Sequence, residues 1–248
     1  MPESIGGAFI ERTEMTFAIA ARCAETGRFG VGIATLSPAV GGRCPHFAPN
    51  FGVVLTMAYT DPRLGFLGTD LLRMSYSAPK VLKELEASDA NIEHRQLCVI
   101  DRDGNAVARD GARDNKWCGA HTETNLVAMG NNLTSERTVT AMHETYKALA
   151  NETLEERLLR AIEAGRDAGG QNGGQLSAAL VSYGTKVYPY INLRVDVHEE
   201  PIGELRRVYE AFRPYITYYY ERPSDPEKWG TKQQWKQKWL EEQKLTKR

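Results

Sequence analysis

Short apolar runs separated by turn residues dominate the first half of the chain. Residues 16–22 and 30–36 are two such runs, and Glu25-Thr26-Gly27 between them has the composition of a turn, so we predict a β-hairpin. An Asp103-Gly104 step is typical of a second tight hairpin. The remaining predicted strands lie at 53–59, 97–100, 106–108, 125–129, 177–183 and 190–195.

Apolar positions at three- and four-residue spacing predict helices between and after these strands. The Thr153 and Glu156 pair forms a capping box at the start of one of them. The predicted helices cover 68–87 in two pieces, 135–150, a segment from Thr153 and a segment from Pro201. Strands and helices come in runs and do not alternate strictly, which favours an α+β fold with layered antiparallel sheets over a doubly wound parallel fold.

The charge balance is close to neutral, with 31 Lys and Arg residues against 32 Asp and Glu residues in a chain of 248. This argues against a protein whose whole surface binds nucleic acid. No apolar run approaches the roughly 20 residues that span a bilayer, so we expect no membrane partner. The first 14 residues lack the apolar region of a secretory signal. Four well-separated cysteines without a C-x-x-C pair are expected to be reduced thiols in a cytoplasmic protein.

The end of the chain differs in composition from the rest. Residues 227–248 carry seven Lys and Arg residues against three acidic ones, and three of the four tryptophans. Trp235 and Trp239 would share one helix face. We expect a helical tail that packs on the body or on a partner subunit, and the small charge excess disfavours the alternative of nucleic-acid binding. Five tyrosines between residues 201 and 221 point in the same direction, so we predict a homo-oligomer.

The common signatures of enzymes and metal sites are absent. The sequence contains no G-x-x-x-x-G-K-[ST], no H-E-x-x-H and no G-x-S-x-G. The five histidines show no metal-ligand spacing, so we expect no metal. The glycine-rich segment 169–174 follows a predicted helix and lacks the lysine of a phosphate-binding loop, which makes it a loop before the next strand.

The pair Met15-Thr16 at the head of the first strand is the informative feature. A threonine hydroxyl is a poor nucleophile unless a base lies within hydrogen-bond reach, and the free α-amine of the same residue is such a base. Thr16 would have to be the first residue, either because translation starts at Met15 and the methionine is removed or because residues 1–15 are a propeptide. The alternative is an ordinary threonine at the start of a strand. We therefore divide the chain into an extension or propeptide (1–15), one domain (16–222) and a charged, Trp-rich tail (223–248).

A resemblance to a known family extends this interpretation. From Met15 to about residue 212 the chain resembles the bacterial family named domain of unknown function 1028 (DUF1028), which is itself similar to N-terminal-nucleophile hydrolases. The segments that carry the resemblance include 16–19, 21–22, 30–32, 39–41, 45–46, 58–62, 71–72, 94–97, 130–131, 156–159, 177–180 and 193–198. The resemblance implies a four-layer αββα sandwich of two antiparallel sheets, with a site at the head of the first strand.

Six polar residues in matching segments become candidates for that site through the resemblance: Thr16, Asn131, Arg22, His46, Asp61 and Arg95. Asn131 would donate its amide to a developing oxyanion. Arg22 and Arg95 would bind a substrate carboxylate. His46 and Asp61 would orient groups or relay protons. The alternatives are structural: ion pairs for the two arginines, a turn for Asp61 and a hydrogen-bonded loop residue for His46.

The function implied by the resemblance is hydrolysis of a small linear or cyclic amide, with Thr16 as the nucleophile. It requires no metal or organic cofactor. The alternative is a non-catalytic protein on the same fold that binds a small ligand or forms a structural oligomer. Three departures from the family pattern, at residues 171–176, Met57 and Met129, indicate a more apolar pocket, a different substrate or reduced activity.

Overall fold

Two antiparallel sheets form the middle of the molecule. The computed structural model describes residues 15–113 and 117–246, so the predicted extension of residues 1–15 lies, except for Met15, outside the described part. The described residues form the strands β1 (Thr16–Arg22), β2 (Phe29–Thr35), β3 (Pro45–Ala48), β4 (Gly52–Ala58), β5 (Arg95–Asp101), β6 (Ala106–Arg109), β7 (Trp117–Glu123), β8 (Leu126–Leu133), β9 (Ser177–Tyr183) and β10 (Ile191–Val195). Their spatial order is β10-β9-β2-β1-β8-β7 in one sheet and β3-β4-β5-β6 in the other.

Helices cover the outer face of each sheet. The α-helices are α1 (Pro62–Arg73), α2 (Ala78–Ser88), α3 (Arg137–Ala148), α4 (Leu154–Asp167), α5 (Pro201–Phe212), α6 (Ile216–Glu221), α7 (Pro226–Trp229) and α8 (Lys232–Thr246). Helices α3, α4 and α5 pack on the six-stranded sheet, and α1 and α2 pack on the four-stranded sheet. The layers therefore follow the order helix, sheet, sheet, helix, which confirms the predicted αββα sandwich.

Successive side chains of a strand point to opposite faces of its sheet. They form three apolar cores: one between the six-stranded sheet and its helices, one between the two sheets, and one between the four-stranded sheet and its helices. In β1, Phe17 and Ile19 face the helices, whereas Ala18 and Ala20 face the other sheet. In β4, Val54 contributes to the core under α1 and α2, and Leu55 to the core between the sheets. A side chain at an even-numbered position of β1 therefore points into the space between the two sheets.

Three elements differ from the sequence prediction. Strands β3 and β7 were not predicted, and every residue of β7 is half-buried or exposed, so neither strand shows a strong apolar alternation. Helix α1 begins at Pro62, before the predicted residue 68. Asp61 caps it by accepting a hydrogen bond from the Arg63 backbone N–H at 3.0 Å, and a proline is favourable in the first helical turn. The Asp61-Pro62 step is therefore a helix start, not the isolated turn of the alternative interpretation.

The basic, Trp-rich tail lies against the preceding helices. The Trp235 indole N–H donates to the Pro214 carbonyl at 2.7 Å, and the Tyr218 hydroxyl donates to the Gly230 carbonyl at 3.1 Å. The Arg213 guanidinium carbon lies 5.8 Å from the centre of the Trp239 ring. Within residues 15–113 and 117–246, no helix combines the length and the apolar character needed to cross a bilayer.

Candidate functional site

Thr16 lies at the head of a central strand of the six-stranded sheet. In the strand register it is opposite Thr35 of β2 on one side and Asn131 of β8 on the other. Its side chain shares the face of Ala18 and therefore points between the two sheets. Only 3% of Thr16 is exposed, so the hydroxyl is shielded from bulk water.

A chain of hydrogen bonds connects the Thr16 hydroxyl to the peptide bond that precedes it. The Thr35 hydroxyl donates to the Met15 carbonyl oxygen at 2.6 Å. Thr16 Oγ1 and Thr35 Oγ1 are 3.1 Å apart. Because a hydroxyl has one proton and Thr35 gives its proton to Met15, the Thr16 hydroxyl is the donor in this pair. The Leu36 N–H is a second, longer donor to the Met15 carbonyl, at 3.4 Å.

Gln96 of the four-stranded sheet reaches across to Asn131 of the six-stranded sheet. Its side-chain nitrogen donates to Asp110 Oδ1 at 2.7 Å and to the Gly130 carbonyl at 2.8 Å. Its oxygen accepts from Asn131 Nδ2 at 2.9 Å. Gln96 and Asn131 are fully buried, and Asn131 Oδ1 has no hydrogen-bond partner. The Asn131 amide nitrogen, which was predicted to donate to an oxyanion, thus already donates one of its protons to Gln96. The Asn131 atom without a partner is the oxygen, which is an acceptor.

Asp61 and Arg95 belong to an ion-pair cluster. Arg95 Nε donates to Asp89 at 2.9 Å, and Arg95 Nη2 lies 3.7 Å from Asp61. Arg95 also donates to the Tyr59 carbonyl. The hydrogen bond from Arg63 lowers the pKa of Asp61, and the charge of Arg95 adds to this. Burial raises the pKa of Asp89, but the Asn91 backbone N–H and Arg95 outweigh it, so the net pKa is lowered. Arg95 is thus held by carboxylates of the protein, as in its ion-pair alternative, and Asp61 is held by arginines and by its role as the cap of α1.

His46 and Arg22 lie away from Thr16. The His46 ring packs on Gly65 of α1 and makes an edge contact with Phe66 at 5.0 Å between ring centres, and burial lowers its pKa. Arg22 is at the other end of β1, where it donates to Asn125 Oδ1 at 3.3 Å. A strand advances about 3.3 Å per residue, which separates Arg22 from Thr16 by about 20 Å. Of the six candidates, the structure thus places Asn131 beside Thr16 and pairs Arg95 with Asp61.

Several polar residues beside Thr16 were not among the candidates. Thr35, Gln96 and Ser177 all lie at this end of the sandwich, and Ser177 is the register partner of Thr35 on β9. The Ser177 hydroxyl donates to the Ser37 carbonyl at 2.6 Å. Gln96 and Ser177 were in segments matching the family, and the predicted first hairpin places residue 35 near residue 16. These signals could have marked the three residues as candidates, but they do not show that Gln96 contacts Asn131.

The two methionine departures form an apolar wall next to this polar group. Met57 is the register partner of Gln96, and Met129 lies two residues before Asn131 on the same strand. Both are fully buried in the core between the sheets. Among the residues that the structure describes, no group of three or more His, Cys, Asp or Glu side chains is placed to hold a metal ion.

Comparison with known proteins identifies a family and similar solved structures. The model of the "Family of unknown function (DUF1028)" matches residues 16–205. The crystal structure of the DUF1028 protein SPO2555 from Silicibacter pomeroyi is 32% identical, covers 80% of this chain and 86% of its own, and has a TM-score of 0.74. Anbu, an ancestral beta-subunit from Yersinia bercovieri, is 11% identical over 82% of this chain and 96% of its own, with a TM-score of 0.38. No curated protein matches the chain.

Proposed function

The chain belongs to the DUF1028 family, a family of unknown function, and we propose that it is an N-terminal-nucleophile amidohydrolase that cleaves a small linear or cyclic amide. The observation that carries this proposal is the hydrogen-bonded chain of Thr16, Thr35 and the Met15 carbonyl at the head of β1. It orients the hydroxyl of the candidate nucleophile, which donates to Thr35 Oγ1. Thr16 is the nucleophile in this proposal, and no metal or organic cofactor takes part.

The reaction requires that Thr16 become the first residue. A free α-amine has a pKa near 7.7–8.0, so it can take the hydroxyl proton at neutral pH. Hydrogen-bonded pairs alternate along an antiparallel ladder. The Arg22 N–H donates to the Asn125 carbonyl, so the same alternation directs the Thr16 nitrogen toward Asn131. A freed amine would therefore point toward the Asn131 main-chain carbonyl on the neighbouring strand β8.

The contacts of Met15 support release of Thr16 by the protein itself. Attack of Thr16 Oγ1 on the Met15 carbonyl carbon would place negative charge on the carbonyl oxygen, which already accepts from Thr35 and Leu36. The C–N bond would then break, and the proton that Thr16 Oγ1 loses would pass to the Thr16 nitrogen. Water would hydrolyse the resulting ester to a Met15 carboxylate and a free Thr16 hydroxyl. Start of translation at Met15 with removal of the methionine leads to the same mature end.

The same steps describe turnover of the substrate. Thr16 Oγ1 attacks the amide carbonyl, the α-amine takes the hydroxyl proton and gives it to the leaving nitrogen. Water then hydrolyses the acyl ester with the amine as its base. The buried Met57 and Met129 favour a substrate with an apolar part near the reacting carbonyl.

The intact mass and N-terminal sequence of the full chain expressed from its gene test this proposal first. We expect the mature wild-type chain to begin at Thr16 and to hydrolyse members of an amide panel. Thr16→Ala should be inactive on the same panel, and Thr35→Val, which keeps the side-chain shape, should slow both release and hydrolysis. A wild-type chain that keeps residues 1–15, or equal hydrolysis by Thr16→Ala, would contradict the proposal.

One observation favours the non-catalytic alternative. Thr16 is joined to Met15 by a peptide bond and is nearly inaccessible, so in this form it lacks its base. A cytoplasmic homo-oligomer that binds a small ligand remains the competing proposal. Sedimentation analysis of the full chain, together with the mass measurement, separates an uncleaved oligomer from a processed enzyme.

A further inference from the structure

The side-chain oxygen of Asn131 is an unusual feature of the core. Most buried polar atoms in proteins have a hydrogen-bond partner, yet Asn131 Oδ1 has none, and the residue is fully buried. It lies in the register position next to Thr16 and on the same face of the sheet. An unpartnered acceptor at this place is suited to a donor that belongs to a ligand.

The hydrogen bonds of Gln96 decide that this atom is an acceptor. The Gln96 nitrogen must face the Asp110 carboxylate and the Gly130 carbonyl, because neither of these groups can donate. Its oxygen is therefore turned toward Asn131, and only the Asn131 nitrogen can donate to it. Exchanging the nitrogen and oxygen of either amide would place two acceptors or two donors against each other. Gln96 and Asp110 therefore fix the orientation of the Asn131 amide and are positioning residues.

We infer that the substrate amide presents an N–H to Asn131 Oδ1, so that the site takes primary and secondary amides, including lactams, and rejects tertiary amides. This inference rests on the proposed function of the same site. The neighbouring side chains Met57 and Met129 are apolar and fully buried. Burial of a charged donor among them is unfavourable, so the donor is a neutral amide N–H and not an ammonium group.

A matched pair of lactams tests the inference on the full-length protein. The probes are 2-pyrrolidinone and N-methyl-2-pyrrolidinone, whose affinities are measured by NMR titration of the Asn131 side-chain amide and whose hydrolysis is followed separately. The wild-type protein should bind the N–H lactam about tenfold more tightly or better, because the tertiary lactam leaves a buried acceptor without a partner. The preference should fall toward one in Asn131→Ala, which removes the acceptor.

Thr56→Val is the control for removal of a buried polar atom. Thr56 Oγ1 is also buried without a partner, but Thr56 shares the face of Val54 and points toward α1 and α2. This variant should keep the wild-type preference.

The outcomes separate this inference from the proposed hydrolysis. Tighter binding of the N–H lactam without turnover supports the inference and contradicts the hydrolase. Equal binding or equal turnover of both lactams overturns the inference and leaves the proposed hydrolase function standing. Failure of both lactams to bind the wild-type protein also overturns it, and an unchanged preference in Asn131→Ala shows that a steric effect of the methyl group, not Oδ1, is responsible.

Discussion

Replacement of Gln96 by leucine should lower the free energy of unfolding by more than the loss of a single hydrogen bond does, because it leaves two buried polar groups without a partner. Gln96 is fully buried between the sheets and makes hydrogen bonds to Asp110, Gly130 and Asn131. Leucine has a similar volume but neither donor nor acceptor. The exposed Asp110 can turn to water, whereas the Gly130 carbonyl and the Asn131 amide nitrogen are buried and cannot.

The size of the destabilisation follows from the two buried groups that lose their partner, the Gly130 carbonyl and the Asn131 amide nitrogen. A buried polar group left without its partner costs about 1–3 kcal/mol, so the free energy of unfolding of Gln96→Leu should fall by about 2–6 kcal/mol. With a urea dependence of about 3 kcal/mol per molar, the midpoint of unfolding should move down by roughly 0.7–2 M.

Urea unfolding followed by fluorescence and by circular dichroism measures this change. Thr56→Val is the comparison, since it removes a buried hydroxyl that has no partner and should leave the midpoint unchanged or raise it. A loss below about 1 kcal/mol for Gln96→Leu, or an equal loss in Thr56→Val, would refute the reasoning that Gln96 holds the two sheets together through satisfied polar groups.

Two further predictions concern the helical layer and the response to pH. A Cβ atom at Gly65 would lie 2.2 Å from His46 Nδ1, whereas a Cβ atom at Gly203 of α5 would meet nothing within 4 Å. In thermal unfolding, Gly65→Ala should therefore lower the free energy of unfolding by about 1–3 kcal/mol, and Gly203→Ala should raise it by about 0.5–1 kcal/mol. A Gly65→Ala variant as stable as the wild type would contradict the close packing of Gly65 on His46. Burial lowers the pKa of His46 below its ordinary value of 6.5. As the pH falls through 6.5, the unfolded chain takes up the proton first, so the free energy of unfolding decreases. His46→Gln should show a smaller decrease between about pH 7.5 and about pH 5.5, and identical pH profiles of the two proteins would contradict a buried, neutral His46.

The sequence was sufficient for the elements with strong local signals. The hairpin of β1 and β2, the Asp-Gly hairpin of β5 and β6 and the Thr153 cap of α4 all have such signals, and the structure contains all three. Strand β3 was not predicted because it is only four residues long and begins with a proline. The early part of α1 was hidden because Gly65 and Gly68 interrupt its helical pattern, although both are needed for close packing on the sheet.

The site was harder to predict because its residues come from separate strands. Sequence reasoning placed Thr16 and Asn131 in the site, and the register puts them side by side. It did not find Gln96, because only the packing of one sheet on the other brings that side chain to Asn131. It also could not assign which atom of the Asn131 amide is available, since this depends on the three partners of Gln96.

The central position of β1 has a consequence for the timing of folding. Its pairing with β2 joins residues only 19 positions apart, so that hairpin closes a short loop and can form early during synthesis. Its pairing with β8 must wait until residues 126–133 have been made. A nascent chain that stops before β8 has the Thr16 and Thr35 hydroxyls but neither the Asn131 side chain nor the neighbouring strand toward which the Thr16 nitrogen points. If Thr16 is released by the protein itself, the appearance of the new amino terminus would therefore report that β8 has paired with β1.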